Sequence, residues 1–304
     1  MGEDFAALSS ALGLHEQARW TQLRSHRCKS IWRVDAPNRT YAVRILRTGD
    51  FKSAEHEAQM MRLAREAGLP VAAVVTISRM GDRPMVLLDW TLGRELTGEI
   101  DERPWAARRL GAQFAAQQAR MHGVQSDAPP DVGWINCFGP VDEPLFERLS
   151  KAQSRSALIH LDFYPANLVY ISGSISGILD WTNARFGDPR ADIARTWALL
   201  NLVFRSGRRH PVRRLSGDAF ARSWWRHIAA PQDDLEPFLA WATAGLIGER
   251  MKQATALEHR RALANLVSVE SGLRERAGLP PVAGRKGLAA GASARADSVG
   301  DTRE

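Results

Sequence analysis

The apolar positions of the chain follow one periodicity near its start and another in the rest. Between residues 30 and 88, short apolar runs alternate with turn-forming residues, a pattern typical of strands joined by hairpins. Four strands and one helix are expected, at 30–34, 40–46, 74–77, 84–88 and 55–66 respectively. The pattern therefore predicts a small lobe in which an antiparallel sheet of at least four strands packs around one helix.

Helical spacing dominates the remainder of the chain. Residues 1–22 carry apolar side chains at loosely helical spacing, and a longer helical pattern begins at Pro104 and ends at Gly123. Later, only 157–180 departs from a mainly helical pattern, and 235–277 predicts two more helices. A larger, mainly helical second lobe is expected.

These patterns together predict an α+β fold of two lobes. We expect the first lobe at 1–91 and the second at 92–280. Residues 281–304 are small and polar, so they offer little apolar surface to offset the entropy of ordering them. We expect them to be disordered.

Composition narrows the class of protein. The chain has 304 residues, of which 44% are hydrophobic and 25% charged, as in ordinary globular proteins. It lacks a continuous apolar span of about 20 residues, and its first residues are acidic where a secretory signal is basic. Cys28 and Cys137 fit no paired metal spacing, which favours two reduced thiols. We expect a cytoplasmic protein that does not span a membrane.

The net charge of +7 raises the possibility of an anionic partner. A dense basic run occupies 205–214, but no aromatic residues interleave with it and no nucleic-acid motif frames it. A solvated loop is favoured, anion or phosphate binding is the alternative, and no specific nucleic-acid partner is expected.

Several polar residues that could take part in catalysis or metal binding lie in an otherwise apolar stretch at 158–181. Asp162, Asn167 and Asp180 supply two carboxylates and one carboxamide at spacings of 5 and 13 residues. Oxygen ligands of these types suit Mg²⁺ that also holds phosphate oxygens. Because Asn167 begins one apolar run and Asp180 ends the next, we expect both on one side of a hairpin.

The spacing of these residues matches the H-x-D-x-x-x-x-N and later metal-binding Asp of protein kinases. The longer stretch, HLDFYPAN followed by ILDWTNARFGDPRADIART, resembles the aminoglycoside phosphotransferase family of small-molecule kinases. The resemblance spans roughly 20–270 and implies a protein-kinase-like fold. In that fold, the lobe at 1–91 binds nucleotide and the lobe at 92–280 is catalytic and binds the acceptor. It implies that Asp162 accepts the proton of the acceptor hydroxyl, that Asn167 and Asp180 hold Mg²⁺, and that His160 positions the loop.

The first lobe offers a second match. Strand alternation places Ala42 and Arg44 on one face, where a small side chain leaves room for a base and the guanidinium reaches phosphate. Arg44 replaces the lysine of protein kinases, and the resemblance makes Glu57 its partner, against the alternative of a surface glutamate. The expected hinge, whose backbone would bind the base, consists of Leu88, Asp89 and Trp90.

Two features depart from the kinase pattern. The expected phosphate-covering loop, 24–30, contains no glycine, which leaves ATP and GTP both open. Trp181 and Thr182 stand where protein kinases have Phe-Gly, and A-P-E is absent, so peptide substrates are disfavoured. The resemblance also gives Asp192 a bracing role beneath the catalytic loop.

The sequence thus predicts Mg²⁺-dependent transfer of the γ-phosphate of ATP or GTP to a small-molecule hydroxyl. Antibiotics, amino alcohols and sugars are all candidate acceptors. A catalytically silent nucleotide-binding module is the alternative, favoured by the glycine-free loop. Residues 205–280 hold 13 Lys/Arg against 8 Asp/Glu, which favours a neutral or anionic acceptor over a polycation.

Overall fold

The structure is a computed structural model in which the chain forms two compact units. It describes residues 4–25, 29–46, 51–126, 131–153, 155–204, 208, 210–228, 234–251 and 257–282. Cys28, part of the predicted loop 24–30, part of the basic run 205–214 and nearly all of the predicted tail lie outside these ranges.

The first unit comprises Met1–Glu102 and Pro165–Ala184. Its main sheet is antiparallel, with strand order β1-β2-β3-β5-β4. The apolar alternation predicted four of these strands, and the core beneath them includes Val34, Val43, Ile45 and Met85. The strands are β1 (Arg19–Ser25), β2 (Lys29–Ala36), β3 (Arg39–Leu46), β4 (Val74–Met80) and β5 (Arg83–Asp89).

The helix at the start of the chain is shorter than the apolar spacing of residues 1–22 predicts. Helix α1 covers only Phe5–Ala11, and Gly13, at φ +65°, lies just beyond its end. Trp20, which the helical pattern included, lies in β1 opposite Val34. Its indole packs against the rings of Phe5 and Trp32, with centroids 5.5 and 6.2 Å away, so a tertiary aromatic cluster overrides the local spacing.

Helix α2 (Phe51–Glu66) begins four residues earlier than expected. Ser53, a residue type that often caps helices, lies inside this one. Ala54, Ala58 and Met61 form its buried face, and Phe51 continues that spacing one turn earlier. The apolar face, rather than the capping residue, decides where the helix begins.

A smaller three-stranded sheet completes the first unit, in the order β6-β8-β9. The expected hairpin is present, with a turn at Ser172 and Gly173, both at positive φ. The added elements are β6 (Arg94–Glu95), α3 (Leu96–Glu102), β8 (Leu168–Ile171) and β9 (Ser174–Ile178). Residues 92–102 and 165–184, which the sequence analysis placed in the second lobe, therefore belong to the first unit.

The second unit comprises Arg103–Tyr164 and Arg185–Glu304, and its described part is mainly helical. Its core stacks Trp134 on Phe238 and sets Trp241 edge-on to Trp134. Two short strands, β7 and β10, pair in antiparallel fashion, and the predicted catalytic loop follows β7. The elements are α4 (Ala107–His122), α5 (Glu143–Ala152), β7 (Ala157–Ile159), β10 (Arg185–Gly187), α6 (Pro189–Ala198), a π-helical segment (Leu199–Phe204), α7 (Pro211–His227), α8 (Glu236–Met251) and α9 (Leu257–Arg276).

None of the described helices is long and apolar enough to cross a membrane. The cytoplasmic location stays a prediction, as does the assignment of nucleotide and acceptor roles to the limits 1–91 and 92–280.

Candidate functional site

A buried ion pair joins strand β3 to helix α2. Arg44 and Glu57 are 6% and 4% exposed, and Nη1 of Arg44 donates to Oε1 of Glu57. Nη2 of Arg44 also donates to Oδ1 of Asp180 at 3.3 Å and to Oγ1 of Thr182 at 2.9 Å. Burial alone would lower the pKa of Arg44, but the charges of Glu57 and Asp180 outweigh it and raise that pKa. Arg44 is therefore a fixed cation.

The β8–β9 hairpin brings the two predicted metal ligands to one place. Asn167 ends a 3₁₀ turn just before β8. Its backbone carbonyl oxygen accepts a hydrogen bond from the N–H of Leu179 at 2.7 Å. Asp180 follows directly, in the left-handed region at φ +61°, and Oγ1 of Thr182 donates to its Oδ1 at 2.8 Å. Such strained backbone at a non-glycine residue is concentrated at functional sites.

A cavity of about 230 Å³ in the first unit collects most of these residues. Ala42 and Leu88 are directly opposed across β3 and β5, and both line it. Arg44, Asn167 and Asp180 line it as well. The cavity thus has apolar walls at the strands and a cation, a carboxylate and an amide at the hairpin, which suits a ligand with an apolar ring and phosphate groups.

The predicted hinge lines the same cavity, but two of its donors are already used. The N–H of Asp89 donates to Ala73 and that of Trp90 to Thr40. The Asp89 carboxylate accepts from Arg39 at 2.6 Å. The hinge groups that remain for a base are backbone carbonyls and the N–H of the next residue, Thr91.

Thr91 was not predicted from the sequence. The signal that could have indicated it is a pair of glycines, Gly93 and Gly177. A Cβ on Gly177 would lie 2.4 Å from Cγ2 of Thr91, and one on Gly93 would lie 2.6 Å from the carbonyl oxygen of Tyr170. Only glycine allows the hinge to approach the β8–β9 hairpin this closely.

The predicted catalytic loop follows β7 in the second unit. His160 is fully buried, and its Nδ1 accepts from the N–H of Asp162 at 3.3 Å, while Asp162 itself is half-buried. Leu161, between them, is left-handed at φ +62°. Its carbonyl oxygen accepts from Nε of Arg195 at 3.2 Å. His160 thus holds the loop backbone, and the loop presents the Asp162 side chain.

Asp192 fixes this loop from within the core. Its Oδ1 accepts from the N–H groups of His160 and Leu161, at 3.1 and 2.6 Å, and its Oδ2 from Nε2 atoms of His122 and Gln118, both at 2.8 Å. Burial would raise the pKa of Asp192, but these partners outweigh it and lower that pKa. The carboxylate is a stable four-bond anchor.

Gln118 and His122 were not predicted from the sequence. The Gln118 amide also donates to Oγ1 of Thr196 at 2.9 Å and accepts from Nε1 of Trp224 at 2.8 Å. Helix α4 thereby connects α6 and α7 beneath the catalytic loop. Nothing in the spacing of apolar residues on α4 distinguishes these two buried polar side chains from exposed ones.

Solved structures similar to this chain include phosphotransferases. The chain is similar to a thermostable mutant of aminoglycoside phosphotransferase APH(4)-Ia bound to AMP-PNP and hygromycin B, with a TM-score of 0.61 and 15% identity over 86% of this chain and 97% of that one. For spectinomycin phosphotransferase APH(9)-Ia with ADP and spectinomycin, the TM-score is 0.52 and the identity 11%, over 89% of each chain. For APH(3'')-Id from Streptomyces rimosus the values are 0.57 and 17%, over 80% and 99%.

At these identities the likeness shows the fold, and it confirms the protein-kinase-like α+β fold predicted from the sequence. No curated protein matches the sequence significantly. A family model described as phosphotransferase enzyme family (APH) matches residues 19–149 and 139–228, well over half of the chain. The chain therefore belongs to the phosphotransferase enzyme family.

Proposed function

We propose that this protein transfers the γ-phosphate of ATP or GTP, with Mg²⁺, to a hydroxyl group of a small molecule. The observation that carries the proposal is the cavity lined by Arg44, Asn167 and Asp180, in which Arg44 is held by its ion pair with Glu57. Phosphoryl transfer requires mainly positioning and charge stabilisation, and a strand cation paired with a helix glutamate is the arrangement that kinases use.

The residues of the hairpin fit a magnesium ion. Asn167 and Asp180 offer one amide and one carboxylate oxygen group, and both line the cavity. Mg²⁺ is commonly bound by one or two protein oxygen ligands, with waters and substrate phosphate oxygens as its other ligands, and this pair of side chains suits that pattern. When bound, the ion would neutralise charge on the phosphate oxygens.

Phosphate stabilisation and proton acceptance are assigned to different residues of the chain. Arg44 holds a permanent positive charge at the cavity, where it stabilises phosphate oxygens. Asp162 accepts the proton of the acceptor hydroxyl, and His160 and Asp192 hold its loop rigid. A preorganised proton acceptor of this kind contributes roughly 10²- to 10⁴-fold to rate.

The acceptor is proposed to be neutral or anionic. Two described acids of this region are already engaged in ion pairs: Asp234 with Arg148 at 2.5 Å, and Glu249 with Arg195 at 2.6 Å. Relatives of this fold bind hygromycin B and spectinomycin, so aminoglycosides are the class against which the proposal is tested.

A screen of nucleotide consumption tests the function. Purified protein with Mg²⁺ and either ATP or GTP is incubated with pools of hydroxylated acceptors, and phosphorylated product is identified by mass. Acceptor-dependent release of ADP or GDP, slowed at least a hundredfold in Asp162→Asn, is the expected result. Tight Mg²⁺-nucleotide binding without turnover on any acceptor would favour the silent nucleotide-binding module.

A further inference from the structure

A groove of about 350 Å³ lies between α4 and α7 in the second unit, in addition to the nucleotide cavity. Its floor is made of small side chains, Ala112, Ala219 and Ser223. No residue among those described around it carries a carboxylate. Its rim consists of basic side chains: Arg108, Arg109, Arg222, Arg226 and His227.

The two helices are held close together beneath this rim. A Cβ on Gly111 would lie 2.5 Å from the carbonyl oxygen of Phe220 and 2.9 Å from Cβ of Ser223, so only glycine permits the contact. Oγ of Ser223 donates to the carbonyl oxygen of Arg108 at 2.6 Å. The arginines of α4 and those of α7 are therefore carried on one rigid base.

These arginines are unpaired within the part of the chain that the structure describes. All four are exposed, and within the described residues none of their guanidinium groups takes part in a hydrogen bond or ion pair. Arg222 and Arg226 are spaced i, i+4, where like charges destabilise a helix. Four cations on a rigid base with no acid on the rim constitute a strong local positive potential.

His227 also lies on the rim. Its Nδ1 bonds the carbonyl oxygen of Ser223 at 2.7 Å, which fixes the ring at the end of α7. The second ring nitrogen, Nε2, is the atom left to contact a ligand at the rim.

The size and chemistry of the groove restrict its ligand. Its volume is at the lower end for small-molecule sites, which favours a compact ligand. Guanidinium groups bind phosphate in a bidentate manner, and four of them exceed the charge of about −2 of one phosphate group. Apart from His227, the described lining has no aromatic ring on which a base could stack.

We propose that this groove binds a compact anion that carries at least two linked phosphate groups. Inorganic pyrophosphate or triphosphate and the phosphate chain of a nucleotide share this chemistry. The site is distinct from the nucleotide cavity, since no residue lines both.

Calorimetric titration with inorganic triphosphate at low salt tests the proposal. The groove variant is Arg109→Gln with Arg226→Gln, and the matched control is Arg213→Gln with Arg214→Gln, two exposed arginines of α7 outside the groove. Each variant loses two positive charges. Neither alters a residue of the nucleotide cavity, so binding there is expected to be the same in the wild type and in both variants. Circular dichroism verifies that each variant is folded.

The expected result is a binding component in the wild type and control that weakens roughly tenfold or more in the groove variant and declines with salt. A parallel titration with ATP identifies the source: a groove-dependent component for ATP indicates a nucleotide, and its absence indicates the inorganic anion. Identical triphosphate isotherms for all three proteins would overturn the proposal. So would loss of binding to a DNA duplex or to anionic vesicles in the groove variant while triphosphate binding is unchanged.

Discussion

Replacing Gln118 with leucine is expected to destabilise the protein strongly, although the two side chains are similar in size. Gln118 is fully buried, and its amide makes close hydrogen bonds to Asp192, Thr196 and Trp224. Leucine fills the space but offers neither a donor nor an acceptor.

The magnitude follows from the groups left without partners. Loss of the bond to the ionised Asp192 costs about 1.5–3 kcal/mol, and the buried indole N–H of Trp224, left without its acceptor, costs about 1–3 kcal/mol. We expect a loss of roughly 3–5 kcal/mol in the free energy of unfolding, which at about 2–4 °C per kcal/mol lowers Tm by roughly 6–20 °C.

The free energy of unfolding is measured by denaturant titration for three variants and the wild type. Gln117→Leu, one residue earlier on the same helix and only partly buried, is the control and should unfold within about 0.5 kcal/mol of the wild type. Gln118→Leu combined with Trp224→Phe should regain about 1 kcal/mol, because the unpaired indole donor is then absent. Equal stabilities of Gln118→Leu and Gln117→Leu would refute the anchoring role of this network.

Four further outcomes are expected. Asp162→Asn should lower turnover by roughly 10²- to 10⁴-fold in quenched-flow assays with nucleotide affinity unchanged, and full activity would remove Asp162 from the mechanism. Asp180→Ala should abolish Mg²⁺-dependent nucleotide binding in calorimetry, because a methyl group cannot ligate a hard cation; unchanged affinity would contradict its role as a metal ligand. Burial raises the pKa of Cys137 to about 11, so its alkylation, followed by peptide mass mapping, should be slow at pH 8 and accelerate up to pH 11; fast labelling at pH 8 would count against this. Turnover should depend weakly on salt for a neutral acceptor or decline with salt for an anionic one, whereas micromolar KM for a kanamycin-like amine would reverse the proposed substrate charge.

The elements that sequence could predict are those in which local pattern and tertiary role agree. On β3, strict alternation places Ala42 and Arg44 on one face, and both line the cavity. The β8–β9 hairpin is equally local, since its strands are separated by a two-residue turn. Trp20 shows the opposite case, because its strand partner Val34 and its aromatic neighbours are distant enough in sequence to leave no periodic signal.

Contacts over long sequence separations explain what was missed. Gln118 and Asp192 are separated by more than seventy residues, and Arg108 and Ser223 by more than a hundred. A buried polar residue on an amphipathic helix has the same sequence signature as an exposed one. For this reason neither the Gln118 and His122 partners of Asp192 nor the arginine groove was predicted.

The discontinuity of the first unit has a consequence for how the protein is made. Its smaller sheet pairs β6 with β8, so the chain from Pro165 to Ala184 must be available before the unit can close. On a ribosome, residues 103–164 emerge in between, which takes several seconds at about 5–20 residues per second. During that interval the five-stranded sheet exists without the hairpin that carries Asn167 and Asp180. A ribosome-bound chain that ends before Ala184 is therefore expected to lack the complete cavity of the first unit, however well its first hundred residues have folded.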